Sequence, residues 1–139
     1  MIPKPVKESR QKLEKRLDSL VFQYLKATTG EYCHIQGYGC KCGGVLQPNH
    51  LITRGQKRIR WELDNVVVGC AGHNTWAHYH QVEWDRLWRE LWPERAKRLD
   101  LKRRGTMDCS IPILRLLIAE YEKKLRTPEY SKFLLGKML

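Results

Sequence analysis

The hydrophobic pattern divides the chain into helical flanks around a glycine-punctuated middle. From about Glu8 to Thr28, the apolar residues Leu13, Leu17, Leu20, Val21, Tyr24 and Leu25 recur at helical spacing, and Gly30 marks the stop. This predicts an amphipathic helix over 8–28, behind a loose arm carrying Pro3 and Pro5. Between Tyr32 and His80 the helical periodicity is lost. Glycines at 37, 39, 43 and 44 break the chain into short pieces, and Val45–Gln47 and Val66–Gly69 read as strands. After Val82 helical spacing returns. Trp84, Trp88 and Trp92 recur every four residues with Leu87 and Leu91 beside them. That stripe is expected in the core rather than as a platform for stacked bases. Pro93 is placed to open the next helix, which runs to about Arg104 before Gly105 breaks it. Ile111–Leu125 reads as a further amphipathic helix and Pro128–Leu135 as a last short one. The expected fold class is α+β. A single domain over 1–139 has its centre at 32–80, framed by the N-terminal helix and a helical part over 82–139.

Composition adjusts this picture in three ways. The chain has 139 residues, 42% hydrophobic and 29% charged, which suits one globular domain and argues against disorder. No apolar run approaches the roughly 20 residues that span a bilayer, and the start lacks the apolar core of a signal peptide. No membrane partner and a cytoplasmic location are therefore expected. With 26 Lys and Arg against 15 Asp and Glu, the formal charge of +11 favours a polyanionic partner. The third point is the five cysteines. In a reducing compartment an odd, clustered set points to metal rather than to a disulfide framework.

Cys33, Cys40, Cys42 and Cys70 fall in one stretch, and Cys109 stands apart. Cys33 and Cys40 bracket the loop HIQGYG, whose glycines let both thiolates face one ion, while Cys70 and His73 have the spacing of a zinc knuckle. The expected structural Zn2+ site is Cys33, Cys40, Cys70 and His73. Cys42 competes for the place of Cys40, because the single residue between them makes it awkward for both to bind one ion. A second set lies between these ligand pairs: His50 in LQPNHLITRG, Asn65 in WELDNVVVGC, and Asn74 and His78 in CAGHNTWAH. If Ala71–His80 is helical, Asn74 and His78 lie one turn apart and can share an ion. His73, rotated about 100° from Asn74, can then face the zinc.

The ordered set resembles the HNH endonucleases of the ββα-metal fold, closely over about residues 32–80. CHIQGYGC is similar to the first zinc knuckle of many such nucleases, and CAGHN looks like the second, with His73 where a cysteine is usual. RIRWELDN and the tryptophan-rich helix look like phage HNH proteins and, more distantly, Rap/NinG-type recombination nucleases. The resemblance implies a hairpin carrying His50 as general base, tethered by Asn65. It also implies a catalytic divalent ion, Mg2+ or Mn2+, on Asn74 and His78, with Asn49 as a third candidate. The implied function is a metal-dependent DNA endonuclease of phage or mobile-element origin, acting in the cytoplasm of a bacterial host. Two residues depart from the family pattern. Asn49 stands where an aspartate is usual and Asn74 where a histidine is usual, which implies a weakly held ion. Arg54, Lys57, Arg58 and Arg60 lie between His50 and Asn65 and are expected to clamp DNA phosphates without reading sequence. Lys97, Arg98, Lys102, Arg103 and Arg104 are candidates to extend that track. The competing readings are a non-catalytic zinc module that binds DNA in recombination or packaging, and an RNase. A homodimer is compatible with all of them.

Overall fold

The computed structural model describes residues 9–127; the N-terminal arm and the helix expected at Pro128–Leu135 lie outside them. The first helix, α1 (Arg10–Thr29), starts where the Ser9 hydroxyl accepts a hydrogen bond from the Lys12 amide at 3.2 Å, and Gly30 closes it. Next come β1 (Leu46–His50), a 3-10 turn at Leu63–Asn65 and β2 (Val66–Cys70). The helices α2 (Ala71–Tyr79), α3 (Gln81–Leu91), α4 (Pro93–Lys102) and α5 (Ile111–Leu125) complete the chain. Among the described residues the architecture is thus mixed α+β, with five α-helices and one two-stranded sheet. None of these helices is long and apolar enough to cross a membrane.

The strands pair antiparallel, from Leu46 opposite Cys70 to His50 opposite Val66. The first strand runs three residues past the Val45–Gln47 expectation, through Pro48, Asn49 and His50. Proline interrupts the apolar alternation that marks strands, but an edge strand tolerates its missing amide donor. The second strand is buried at every position, because both of its faces are covered. Val66 and Val68 pack with Leu17, Leu114 and Ile118 of α1 and α5. Val67 packs on the other face with Trp84 and Trp88 of α3. The tryptophan stripe is therefore core, as its spacing suggested, and the Trp84 indole also donates to the His50 carbonyl at 3.1 Å.

The long hairpin loop is gripped by α1 and α5. Asp18 accepts from Arg60 Nη2 at 2.7 Å, Arg60 Nε at 3.1 Å and the Trp61 indole at 2.8 Å. Glu14 accepts from Arg60 Nη1 at 3.2 Å and Lys57 Nζ at 3.0 Å, and the Tyr121 hydroxyl donates to the Trp61 carbonyl at 3.0 Å. Arg60 and Lys57, two of the residues expected to clamp phosphate, are thus each paired with an acid of α1. The Arg60 side chain is only 11% exposed, with two carboxylates already on it. Removing a partner from a desolvated pair strands the other charge, whereas exposed pairs contribute little. Asp18→Ala is accordingly expected to cost about 3 kcal/mol in urea unfolding, and Lys57→Ala less than about 1 kcal/mol. Equal losses would contradict this account of the loop.

Candidate metal centre

Four potential ligands converge where the loop after α1 meets the junction of β2 and α2. The Sγ atoms of Cys33, Cys42 and Cys70 and a ring nitrogen of His73 all lie within 4.8 Å of one another. Cys33 is placed by its neighbour, since the His34 amide donates to the Val68 carbonyl at 2.9 Å and so anchors the loop on β2. Cys70 ends β2 and caps α2, its sulfur accepting from the His73 amide at 3.4 Å. His73 Nδ1 is 3.1 Å from Cys70 Sγ, 3.6 Å from Cys33 Sγ and 3.7 Å from Cys42 Sγ. A tetrahedral zinc, with Zn–S about 2.3 Å and Zn–N about 2.0 Å, puts nitrogen and sulfur about 3.5 Å apart. The donor set and its spacing fit zinc.

The His73 tautomer suits this role. Its Nε2 lies 2.7 Å from the Tyr38 carbonyl, which can only accept, so Nε2 carries the proton and Nδ1 turns its lone pair toward the three sulfurs. The Tyr38 contribution was not legible in the sequence, because it is made by a backbone carbonyl that every residue type possesses.

The thiol expected from Cys40 is supplied instead by Cys42. The loop is pinned at two points. Tyr38 is held by His73, and the Gly43 carbonyl accepts from the Gly72 amide at 2.9 Å while the Gly43 amide donates to the Cys70 sulfur. Cys42 immediately precedes the second point and is carried into the group. Gly37 and Gly39, at φ of +90° and +68°, coil the intervening chain, and Gly39 packs flat on the Trp76 ring. Cys40 remains half-buried outside the ligand set.

Burial pushes the Cys33 thiol up to about 12. Burial also opposes ionisation of Cys70, but amides of His73 and Gly43, the His73 ring and the Cys42 thiol bring it down to about 6. The hydrogen bonds around Cys70 thus favour its thiolate, while burial of Cys33 favours the protonated thiol, so metal binding there releases a proton. Affinity for metal falls as the solution is acidified.

The second set of residues lies on the hairpin and the exposed side of α2. Asn65 is fully buried and makes two hydrogen bonds to the Ile52 backbone: its Nδ2 donates to the Ile52 carbonyl at 3.0 Å and its Oδ1 accepts from the Ile52 amide at 2.8 Å. It ties the two ends of the hairpin loop together. Strand alternation sends His50 and Asn49 to opposite faces. His50 faces the α1 side, where its Nε2 donates to the Arg60 carbonyl at 3.1 Å. Burial holds the His50 ring below its ordinary value, opposed by the Asp18 carboxylate and the Arg60 carbonyl. Asn49 faces the α2 side beneath Gly69, where an added methyl would occupy the space of its carboxamide. Asn49 is 1% exposed, and neither its Oδ1 nor its Nδ2 has a hydrogen-bond partner. On α2, Asn74 and His78 stand one turn apart and exposed, with Asn74 Nδ2 donating to Gln47 Oε1 at 3.0 Å. His73 points away from them, into the cysteine group.

No protein-family model matches the chain, and neither does any curated protein or solved structure at a significant level. The metal centre consequently rests on its own geometry. Purified protein is expected to carry about one zinc per chain. Cys42→Ser should lose it and unfold the region 31–45, whereas Cys40→Ser should keep both metal and fold. Elemental analysis with circular dichroism distinguishes the two; loss of zinc from Cys40→Ser with retention in Cys42→Ser would reverse the ligand assignment.

Proposed function

We propose that the chain is a metal-dependent DNA endonuclease of the HNH type. In this reading the cysteine–histidine group holds a structural zinc beside a hairpin-and-helix site that hydrolyses phosphodiester bonds. The observation that carries the reading is the pair at the end of β1. His50 has its Nε2 proton committed to the Arg60 carbonyl, which leaves Nδ1 as the basic nitrogen. Asn49 beside it is a buried carboxamide with both polar atoms unpartnered, an arrangement that costs free energy unless something is bound there. The chain order of hairpin, knuckle and helix agrees with the resemblance that His50, Asn65, Asn74 and His78 suggested.

The chemistry follows from these residues. His50 is neutral at pH 7 because burial lowers its proton affinity, so Nδ1 can take a proton from an attacking water. As the imidazolium forms, the Arg60 carbonyl keeps the ring oriented and the Asp18 carboxylate favours its charge. Asn65 fixes the loop that carries this carbonyl. Asn49, Asn74 and His78 are the residues that would hold a catalytic ion, all of them neutral donors. Such a set suits a manganese-like ion better than magnesium, which is usually held by carboxylates. When bound, a divalent ion there would polarise the phosphate and stabilise charge on the leaving 3′ oxygen.

The absence of a carboxylate among Asn49, Asn74 and His78 favours one second reading, a zinc module that binds DNA without cutting it. Plasmid nicking with magnesium, manganese or chelator separates the two. The nuclease reading predicts that His50→Ala keeps zinc and fold but loses about two to four orders of magnitude in rate. His78→Ala is expected to be partly rescued by excess manganese, and Asn49→Asp to tighten metal binding. The His50 pKa lies below its ordinary 6.5, so the base remains active through neutrality and the rate falls only as pH drops below that value. If neither DNA nor RNA is cut with any divalent ion, and Asn49→Asp cuts nothing either, the binding module replaces the enzyme.

A further inference from the structure

The positive charge of the molecule is not spread evenly once each carboxylate has been assigned to its cation. Around the hairpin loop and α4, Glu14 and Asp18 are occupied by Lys57 and Arg60. Asp64 holds Arg98 at 2.9 Å and Lys102 at 3.1 Å, and these two cations keep its carboxyl down at about 2. Glu62 is taken by Lys102 at 3.1 Å. Asp100 is engaged bidentately by Arg89 at 2.8 and 3.1 Å. Among the described residues of these segments five arginines are left without a close carboxylate; Arg95 is turned onto the Trp92 ring with its Nη1 buried, and the other four lie further out. Arg58 reaches only Glu62, at 4.0 Å. Arg54, Arg103 and Arg104 are exposed, and the Asp100 carboxylate that Arg103 and Arg104 sense already belongs to Arg89.

These four come from two distant segments that meet in space. Arg58 Nε would lie 2.9 Å from a Cβ placed on Gly105, the residue that follows Arg103 and Arg104. Glycine at that position lets the guanidinium of the hairpin loop rest on the end of α4. At the other end, the charge of Arg54 is felt by the His50 ring. These four arginines thus form one strip, leading from His50 along the hairpin loop to the end of α4.

We infer that Arg54, Arg58, Arg103 and Arg104 are a phosphate-binding strip whose partner is the sugar–phosphate backbone of duplex DNA. The choice of DNA as the polyanion rests on the proposed nuclease reading; the strip itself rests on the charge assignment. Guanidinium forks match phosphate oxygens in pairs, and guanidinium is less strongly hydrated than ammonium, so arginine without a carboxylate partner is suited to this task. Such contacts position a duplex without reading its sequence. The strip leaves out Lys57 and Arg60, which are paired with the acids of α1, and adds two residues that the hairpin alone would not supply.

The test is fluorescence-anisotropy binding of the full chain to a random-sequence DNA duplex, without added divalent ion, as salt is raised. Each lost phosphate contact should flatten the logarithmic salt slope by about 0.9. Arg103→Gln/Arg104→Gln is therefore expected to reduce it by about 1.8, and Arg54→Gln/Arg58→Gln by a similar amount. Lys12→Gln/Lys15→Gln, on the exposed side of α1, removes the same charge and should leave the slope nearly unchanged. Zinc content and circular dichroism of each variant establish that it is folded. The strip is overturned if the Arg103/Arg104 variant keeps the wild-type slope, if the Lys12/Lys15 variant loses as much, or if an RNA duplex or an acidic polypeptide binds more tightly than DNA. Cleavage in the same samples separates the two proposals. Protein that binds with the expected slopes but never cuts supports the strip and defeats the nuclease. Protein that cuts while the slopes stay fixed does the reverse.

Discussion

The rest of the structure depends on the convergence of three sulfurs and one imidazole nitrogen at the start of α2. The chain from Glu31 to Val45 has no helix or strand, and it leaves Tyr32, Tyr38 and Val45 largely exposed. It buries little beyond Cys33 and Ile35, too small a core to offset the entropy of ordering so many residues. Metal coordination can supply what burial does not, on the order of 10 kcal/mol for a structural zinc site. The same four atoms join the loop, the end of β2 and the first turn of α2. The position of α2, and with it Asn74 and His78, follows from that junction.

The opposite face of the hairpin is set by a different kind of force. There the acids of α1 reach across to Arg60, Lys57 and the Trp61 indole, and Tyr121 of α5 holds the next carbonyl. Two consecutive residues of β1 consequently look in opposite directions. Asn49 faces the metal-organised side, and His50 faces the side organised by ion pairs. The Arg60 residue links the two functions, since its guanidinium secures the loop and its carbonyl fixes the imidazole. A substitution on α1, far from His50 in sequence, is thereby connected to the orientation of the ring.

Much of this was legible in the sequence where a local rule governs. Helical periodicity located α1, α3, α4 and α5 to within a few residues, and the Trp84–Trp88 stripe was correctly placed in the core. Cys33, Cys70 and His73 were legible from spacing. Cys42 was not, because spacing says that Cys40 and Cys42 are both within reach and only the path of the loop over Trp76 and Gly72 decides between them. The ion pairs of Lys57 and Arg60 were not legible for a related reason. Their partners Glu14 and Asp18 lie more than forty residues earlier, on the polar side of a helix whose apolar stripe gave no hint of them. Asn49 was singled out as a neutral substitute for an acid, but its burial beneath Gly69 with both polar atoms unpartnered belongs to the hairpin register.

X-ray absorption at the zinc edge of the purified, unmutated chain tests the central claim most directly. The geometry predicts three sulfur scatterers at about 2.3 Å and one nitrogen at about 2.0 Å, with the outer-shell pattern of an imidazole. A shell of four sulfurs would put Cys40 in the place of His73 and contradict the assignment. A shell of oxygens and nitrogens alone would place the metal elsewhere and remove the interaction on which the fold of the centre depends.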